Sequence, residues 1–400
     1  MMEPKEYADQ FHRELFERVI PFWEKHSPDR EHGGYFTCLL RDGSVYDTDK
    51  FIWLQARQVW TFATLYNQVE QNDEWLDMAL LGARFLEQHG RATNGHWFFA
   101  VRQDGAPLVQ PYNIFSDCFA TMAFAQLFRA TGEQRYADIA RTTFDHILSR
   151  RDNPKGIYEK SIAGSRPETG FSLPMILCNL CLELESLIDR ELIERTIDEC
   201  IDTVMHGFYD PDTGLVLETI QNDGSLSDSF NGRKLNPGHA LEAMWFIMDL
   251  GQRRGDKALT REAVRRALHM AEYGWDPEFG GFFYFMDRKG YPPQQLEWDQ
   301  KLWWVHLEAQ EAMLKGYAYT GDLSCASWFE RIYKYTWERF PDPGYGEWFG
   351  YLHRDGTRLH EAKGGKWKGC FHVPRGLLHG WQILSVLTLD KPSGKKELND

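Results

Sequence analysis

Apolar residues return every three or four positions through most of this chain. The stretch LQARQVWTFATLYNQVE (54–70) carries them at helical spacing, and DEWLDMALLGARFLEQHG (73–90) repeats the pattern after a short break. That period predicts amphipathic α-helices. Further helix pairs are predicted over 115–132 with 133–151, 171–188 with 190–206, 239–253 with 256–274 and 303–320 with 322–340. A helix at 5–26 opens the chain and one at 374–388 closes it. The breaks inside each pair are short, as between antiparallel neighbours.

A different pattern interrupts the helices six times. GYFTCLLRDG (34–43), GHWFFAVRQDG (95–105), GIYEKSIAG (156–164), GLVLETIQNDG (214–224), GFFYFMDRKG (281–290) and GEWFGYLHRDG (346–356) share a leading glycine, a bulky run and a closing glycine. The closing glycines stand 62, 59, 60, 66 and 66 residues apart. Each copy reads as a short strand entering a tight turn, because glycine adopts positive φ without a Cβ penalty. A repeat of this length, carrying two helices, means one supersecondary unit used six times.

Six helical hairpins can stack as an open solenoid or close into a ring. An open array needs polar caps at its ends. Here the first and last helices, FHRELFERVIPFW and PRGLLHGWQILSVLTL, are both strongly apolar. Each can bury that face against the other. The expected fold is therefore an all-α (α/α)6 barrel with short β-hairpin-like connections. It should be one domain over 1–390, with a disordered polar tail at 391–400.

If one helix of each pair lines the barrel, the N-terminal ends of those helices meet at one mouth. Residues at matching distances from the closing glycines then share a cavity. Arg57 follows Gly43 by 14; Asn113 and Asp117 follow Gly105 by 8 and 12. His239 and Glu242 follow Gly224 by 15 and 18, His306 and Glu308 follow Gly290 by 16 and 18, and His372 follows Gly356 by 16. Any one of these histidines alone is more often a satisfied structural group than a catalyst. Their shared phase makes them candidates together. Trp303, Trp304 and Trp367 fall at the same mouth, where tryptophan either stacks on a sugar or fills the core.

Net charge is −14, which argues against nucleic-acid and anionic-membrane partners. No run of 18 apolar residues is present, and the N-terminus lacks the apolar core of a signal peptide. The seven cysteines read as reduced thiols, so a cytoplasmic location is expected. Cys178 and Cys181 form a lone C-x-x-C inside an apolar helical run, which points to core packing. Leu173, Leu180 and Leu187 have zipper spacing, but three leucines are too few for a coiled coil. No metal-ligand motif and no P-loop appears. The segment SRRDNPKGIYEKSIAGSR (149–166) gathers Arg150, Arg151, Lys155, Lys160 and Arg166, either a phosphate-binding patch or a solvated loop.

The segments GGYFTCLLRDGSVYDTDKFIWLQARQVWTFA, VQPYNIFSDCFA, NPGHALEAMWFIMD, QQLEWDQKLWWVHLEA, PGYGEWFGYLHRDG and KGGKWKGCFHVPR resemble the N-acylglucosamine 2-epimerase family, which includes the renin-binding proteins. The resemblance runs from about residue 12 to 388 and is nearest to bacterial, cyanobacterial-type members. It implies the same barrel, interconversion of N-acetyl-D-glucosamine and N-acetyl-D-mannosamine, and a homodimer. It also implies stimulation by ATP that is not consumed. The family's two catalytic histidines fall on His239 and His372 and its arginine on Arg57, while Glu308 lies in the matching WWVHLEA.

The chemistry fits those residue types. The C2 proton of an N-acetylhexosamine becomes removable only after the ring opens to the aldehyde. Two histidines on opposite faces can take and return it near neutral pH without a metal. Asn113, Asp117, Glu242, His306, Glu308, Trp303 and Trp304 are the expected substrate-binding set, and Arg150, Arg151, Lys155, Lys160 and Arg166 the expected nucleotide set. Other readings are an epimerase or isomerase of cellobiose or mannose, and an (α/α)6 glycoside hydrolase using two of Glu297, Asp299, Glu308 and Glu347. A non-enzymatic binding protein is a third.

Overall fold

The computed structural model describes residues 3–160, 162 and 164–389. The expected tail at 391–400 lies outside them. Twelve long helices among the described residues carry the fold. They are α1 (4–26, loosened by a π turn at Leu15–Val19), α2 (Ile52–Gln68), α3 (Asp73–His89), α4 (Phe115–Thr131), α5 (Gln134–Arg150) and α6 (Ser172–Leu184), followed by α7 (Arg190–Asp202), α8 (Pro237–Arg254), α9 (Lys257–Gly274), α10 (Trp303–Thr320), α11 (Leu323–Arg339) and α12 (His372–Leu389).

The helices sort by burial into two layers. α2 is buried on every face from Leu54 to Leu65, and α4 from Ser116 to Leu127. α5 buries only a stripe of Tyr136, Ala137, Ala140, Thr143, Phe144 and Ile147. A helix that is apolar all round belongs inside, and a striped one faces water on its other side. The even-numbered helices form the inner ring in the order α2, α4, α6, α8, α10, α12, and each packs on an odd-numbered helix outside it. The ring closes where α1 packs on α12. Gly380 permits that contact, since a Cβ there would stand 2.4 Å from the Phe11 ring. Thr61 Oγ1 on α2 donates to the Cys370 carbonyl at 2.8 Å, which ties the last connection to the first inner helix. The chain is an (α/α)6 barrel, as its apolar ends imply.

All six closing glycines have positive φ, from 75° at Gly164 and Gly290 to 86° at Gly105 and Gly356. The strand before an inner helix pairs with the hairpin of the next repeat. Lys50–Phe51 pairs with Ala100–Val101, Glu168–Gly170 with Thr219–Gln221, Lys234–Leu235 with Met286–Asp287, and Lys301–Leu302 with Tyr351–Leu352, all antiparallel. The copy at 156–164 departs from the expected strand. It makes a 3-10 turn at Gly156–Tyr158, and its Ile157 and Ile162 are exposed. With no alternating bulky run to bury, it has nothing to hold a strand in place. Leu173, Leu180, Leu187, Cys178 and Cys181 are buried in the barrel wall.

One polar device recurs. A buried lysine before an inner helix reaches back to an aspartate at the end of the preceding outer helix. The pairs are Lys50–Asp29 at 2.8 Å, Lys301–Asp276 at 3.0 Å and Lys363–Asp342 at 2.8 Å, with every one of these lysines fully buried. Each clamps the mouth loops onto the barrel. Removing one partner of a buried pair strands the other's charge. Asp29→Asn, which leaves Lys50 only carbonyl and amide acceptors, is expected to cost about 3–5 kcal/mol, read as a lowered urea midpoint at unchanged m-value.

Candidate active site

The N-terminal ends of the six inner helices open on one cavity of about 510 Å³. That volume is in the range of small-molecule sites. α2 supplies Trp53 and Arg57, α4 Phe115 and Phe119, and α6 Ser172, Met175 and Ile176; α8 supplies His239 and Glu242, α10 Trp303 and Trp304, and α12 His372. Tyr284, Glu297, Gln300, Tyr351 and Trp367 reach in from the connecting loops.

Local sequence fixes the two histidines differently. At LNPGH, the Asn236 side chain caps α8 by accepting from the His239 backbone N at 3.2 Å, and Pro237 occupies the first turn. Gly238 leaves room for Trp304, whose ring would lie 2.7 Å from a Cβ. His372 starts α12 at the end of the strap GGKWKGCF. Two buried lysines anchor that strap: Lys368 Nζ donates to Glu347 Oε1 at 2.7 Å, and Lys363 Nζ to the Glu347 carbonyl at 2.9 Å. Between them Trp367, half exposed, turns toward the cavity and meets Trp53 edge-on.

Each histidine is held through Nδ1 by a carboxylate. His239 Nδ1 lies 3.1 Å from both Glu218 oxygens, and His372 Nδ1 lies 2.7 Å from Glu308 Oε1. With Nδ1–H donating, both rings keep Nε2 for the cavity. The Trp304 ring stands between them, 5.3 Å from His239 and 5.7 Å from His372 between centroids.

The two imidazoles differ in charge environment. Burial disfavours the His239 cation, but the unshared Glu218 carboxylate outweighs it, so its pKa is raised. Burial dominates at His372 and lowers it to about 3. Its carboxylate is shared: Arg375 Nη2 donates to Glu308 Oε1 and to Glu242 Oε1, each at 2.6 Å, while Trp245 Nε1 donates to Glu308 Oε2 at 2.9 Å. Burial raises Glu242, with Glu308 adding to the effect. At Glu308 burial is overcome by Arg375 and His372, and the pKa falls.

Arg57 is a cation without a carboxylate hydrogen-bonded to it among the described residues. Its guanidinium carbon sits 3.9 Å from the Phe119 ring centre, 4.4 Å from Trp53 and 4.7 Å from Phe371, and its Nε is buried without a partner. Desolvation lowers its pKa to about 9, so it remains charged at neutral pH. The arrangement is two acid–base groups and one buried cation around a largely aromatic cavity.

The family model described as N-acylglucosamine 2-epimerase (GlcNAc 2-epimerase) matches residues 34–373. The chain belongs to this family. It is 43% identical to the N-acylglucosamine 2-epimerase of Bos taurus over 393 residues, covering 95% of this chain and 92% of the relative. The Homo sapiens N-acylglucosamine 2-epimerase is 40% identical over 386 residues, covering 94% and 90%. The solved cellobiose 2-epimerase of Bacillus thermoamylovorans B4167 superposes with a TM-score of 0.82 at 21% identity, covering 94% of this chain and 99% of that one, and so shares the fold. The chain is an isomerase of the carbohydrate-epimerase kind.

Within this epimerase, Arg57, His239, Glu242, Trp303, Trp304 and His372 line one cavity, and Glu308 stands directly behind His372. His306 does not reach the cavity wall. It is fully buried, with Nδ1 donating to the Leu302 carbonyl at 2.7 Å and Nε2 accepting from Phe282 N at 3.1 Å. The phase argument slips there because distance from the closing glycine does not fix the rotation of the helix: His306 lies on the face of α10 that packs on Tyr335 and Phe340, at 5.1 Å from each ring. Asn113 and Asp117 also lie off the wall. Asn113 Oδ1 accepts from Phe115 N at 2.9 Å, and buried Asp117 pairs with Arg150 at 3.3 Å. Of the basic set, Arg151 pairs with Glu199, Lys155 with Glu159 and Arg166 with Glu168, while Lys160 is exposed. With Arg150 on Asp117, four of the five are engaged by carboxylates, three of them at exposed positions where such pairs are weak. Sequence reading missed Glu218, which was visible as a lone carboxylate inside the bulky run GLVLETI, and Arg375, three residues after His372. It also missed Trp53 and Phe119, which read as core residues of apolar helices, and Tyr284, Gln300 and Tyr351, whose types in aromatic loops carry no signal.

Proposed function

We propose that this epimerase interconverts N-acetyl-D-glucosamine and N-acetyl-D-mannosamine by a two-base exchange at C2 of the opened sugar. The observation that carries this reading is the pair of histidine–carboxylate dyads, His239–Glu218 and His372–Glu308, built on different repeats and facing one cavity. In one direction neutral His372 takes the C2 proton through Nε2, and charged His239 returns one to the opposite face. The reverse direction exchanges the roles. Negative charge gathers on O1 as the proton leaves, and Arg57, buried among three aromatic rings, offers a fixed cation there. Glu308 and Glu218 stabilise each imidazolium as it forms.

No phosphoryl transfer enters this scheme, so ATP, which the family resemblance brings in, acts as an activator and not as a reactant. The paired cations of 149–166 mean that a phosphate there must displace carboxylates. A homodimer belongs to the same reading, and so does a cytoplasmic location, which the seven buried, unpaired cysteines support. Among the described residues no helix is long and apolar enough to cross a membrane.

The test is incubation with N-acetyl-D-glucosamine in deuterated water. N-acetyl-D-mannosamine carrying deuterium at C2 is the expected product in proton NMR. Product that retains the original hydrogen at C2 overturns the two-base scheme.

A further inference from the structure

The walls of the cavity are unequal, and the inequality follows the order of the inner ring. From His239 on α8 to His372 on α12, one way round passes α10, whose Trp303 and Trp304 form a flat aromatic wall. The other way passes α6, α4 and α2. There the wall is Met175 and Ile176, then Phe115 and Phe119, and last Arg57. Met175, Ile176 and Phe119 are 5%, 3% and 4% exposed, and Ser172 supplies the one hydroxyl of this sector. The polar groups Tyr284, Glu297, Gln300 and Tyr351 come from the loops around α10, on the far side.

C2 of the opened sugar has four substituents. Its hydrogen lies on the line between the two histidines, which leaves C1, C3 and the substituent on C2 to spread across that line. O1 needs Arg57. The hydroxyl-bearing chain from C3 onward needs donors and acceptors, and these are grouped on the loops around α10. One apolar wall remains, beside Arg57 and opposite Trp304. An N-acetylhexosamine has one apolar group to place there, the acyl methyl. A 2-hydroxyl in that position would face Phe115, Phe119, Met175 and Ile176, with only Ser172 to partner it, and an unpartnered polar group against an apolar wall is disfavoured.

Resting on the epimerase reading above, we propose that the sector between α4 and α6 is the pocket for the substrate's N-acyl group, with Phe119, Met175 and Ile176 setting the length of acyl chain accepted. The site's tolerance for longer acyl chains is limited by Ile176 and Met175.

The experiment measures kcat/KM for the N-acetyl, N-propanoyl and N-butanoyl forms of glucosamine on the wild-type protein, Ile176→Ala, Met175→Ala and Ile176→Phe. Widening by either alanine is expected to shift the butanoyl-to-acetyl ratio upward by about tenfold, within the range one or two methylenes command in a fitted pocket. Ile176→Phe is expected to raise KM for the acetyl form at least about tenfold and to abolish turnover of the butanoyl form. Two alanine variants guard against one failing to fold. Variants that change all three substrates by the same factor overturn the acyl assignment while the epimerase reading stands. Wild-type protein with no turnover of any N-acyl sugar overturns the parent reading and this one with it.

Discussion

Replacing His372 by asparagine is expected to lower kcat for epimerisation by about 10²–10⁴-fold with little change in fold stability, and His239→Asn to do the same. Asparagine keeps a polar group of similar size at each site but cannot carry a proton between faces. The two variants should differ in a second measurement. His239→Asn keeps the His372–Glu308 dyad and Arg57, so it retains a base and a cation for one face. It is expected to exchange the C2 hydrogen of one epimer with solvent deuterium while forming little of the other epimer. His372→Asn should show the complementary exchange. Near-normal turnover by both variants would remove the two-base scheme. The pH profile tests the same pair. His239 is raised above its ordinary value and His372 is lowered to about 3, so neutral His372 and charged His239 coexist at the ordinary histidine value of about 6.5. The acid limb of wild-type kcat/KM should therefore lie below, and its alkaline limb above, the ordinary histidine value of about 6.5.

What the chain revealed before its structure, and what it hid, divides along physical lines. Helix periodicity and the recurring glycines are local signals, and local signals survive in a sequence. They led to twelve helices, to the closed ring and to the mouth where Arg57, His239 and His372 meet. The phase argument placed Arg57, His239 and His372 at one mouth but not His306, because distance from a glycine does not encode which face of the helix a residue occupies, and His306 faces Tyr335 and Phe340. The carboxylates behind the histidines were half legible. Glu308 was found from its place near an inner helix start. Glu218 sits at the bend between two short strands, Leu215–Val216 and Thr219–Gln221, and its reach to His239 is a tertiary fact that no spacing encodes. Arg375 shows the same limit. Three residues from His372, it looked like an ordinary first-turn residue of a helix, yet it is 2% exposed and bridges carboxylates from α8 and α10. The basic segment shows the opposite limit. Charge of one sign along a sequence says nothing of the carboxylates that folding brings to it.

Glu308→Gln is expected to cost about as much in kcat as losing His372 itself, roughly 10²–10⁴-fold, with KM nearly unchanged. The substitution keeps the shape and removes one charge. Three donors converge on that carboxylate: His372 Nδ1, Arg375 Nη2 and Trp245 Nε1. Its charge is the main influence that favours an imidazolium at His372, against burial and against the Arg57 and Arg375 cations. Without it, His372 becomes a still weaker base in a site already hostile to positive charge. A glutamine can also turn its NH2 toward Nδ1, which reverses the hydrogen bond and puts the ring proton on Nε2, where the base must be free. Glu218→Gln should be milder, about tenfold to a hundredfold, because the His239 side chain is 26% exposed and water can help carry its charge. The contrast separates an electrostatic role from a structural one. If Glu308→Gln loses activity only through unfolding, its melting curve will show it. If it stays folded and active with an unshifted acid limb, Glu308 does not tune His372, and the reason for burying a carboxylate between a histidine and an arginine must lie elsewhere.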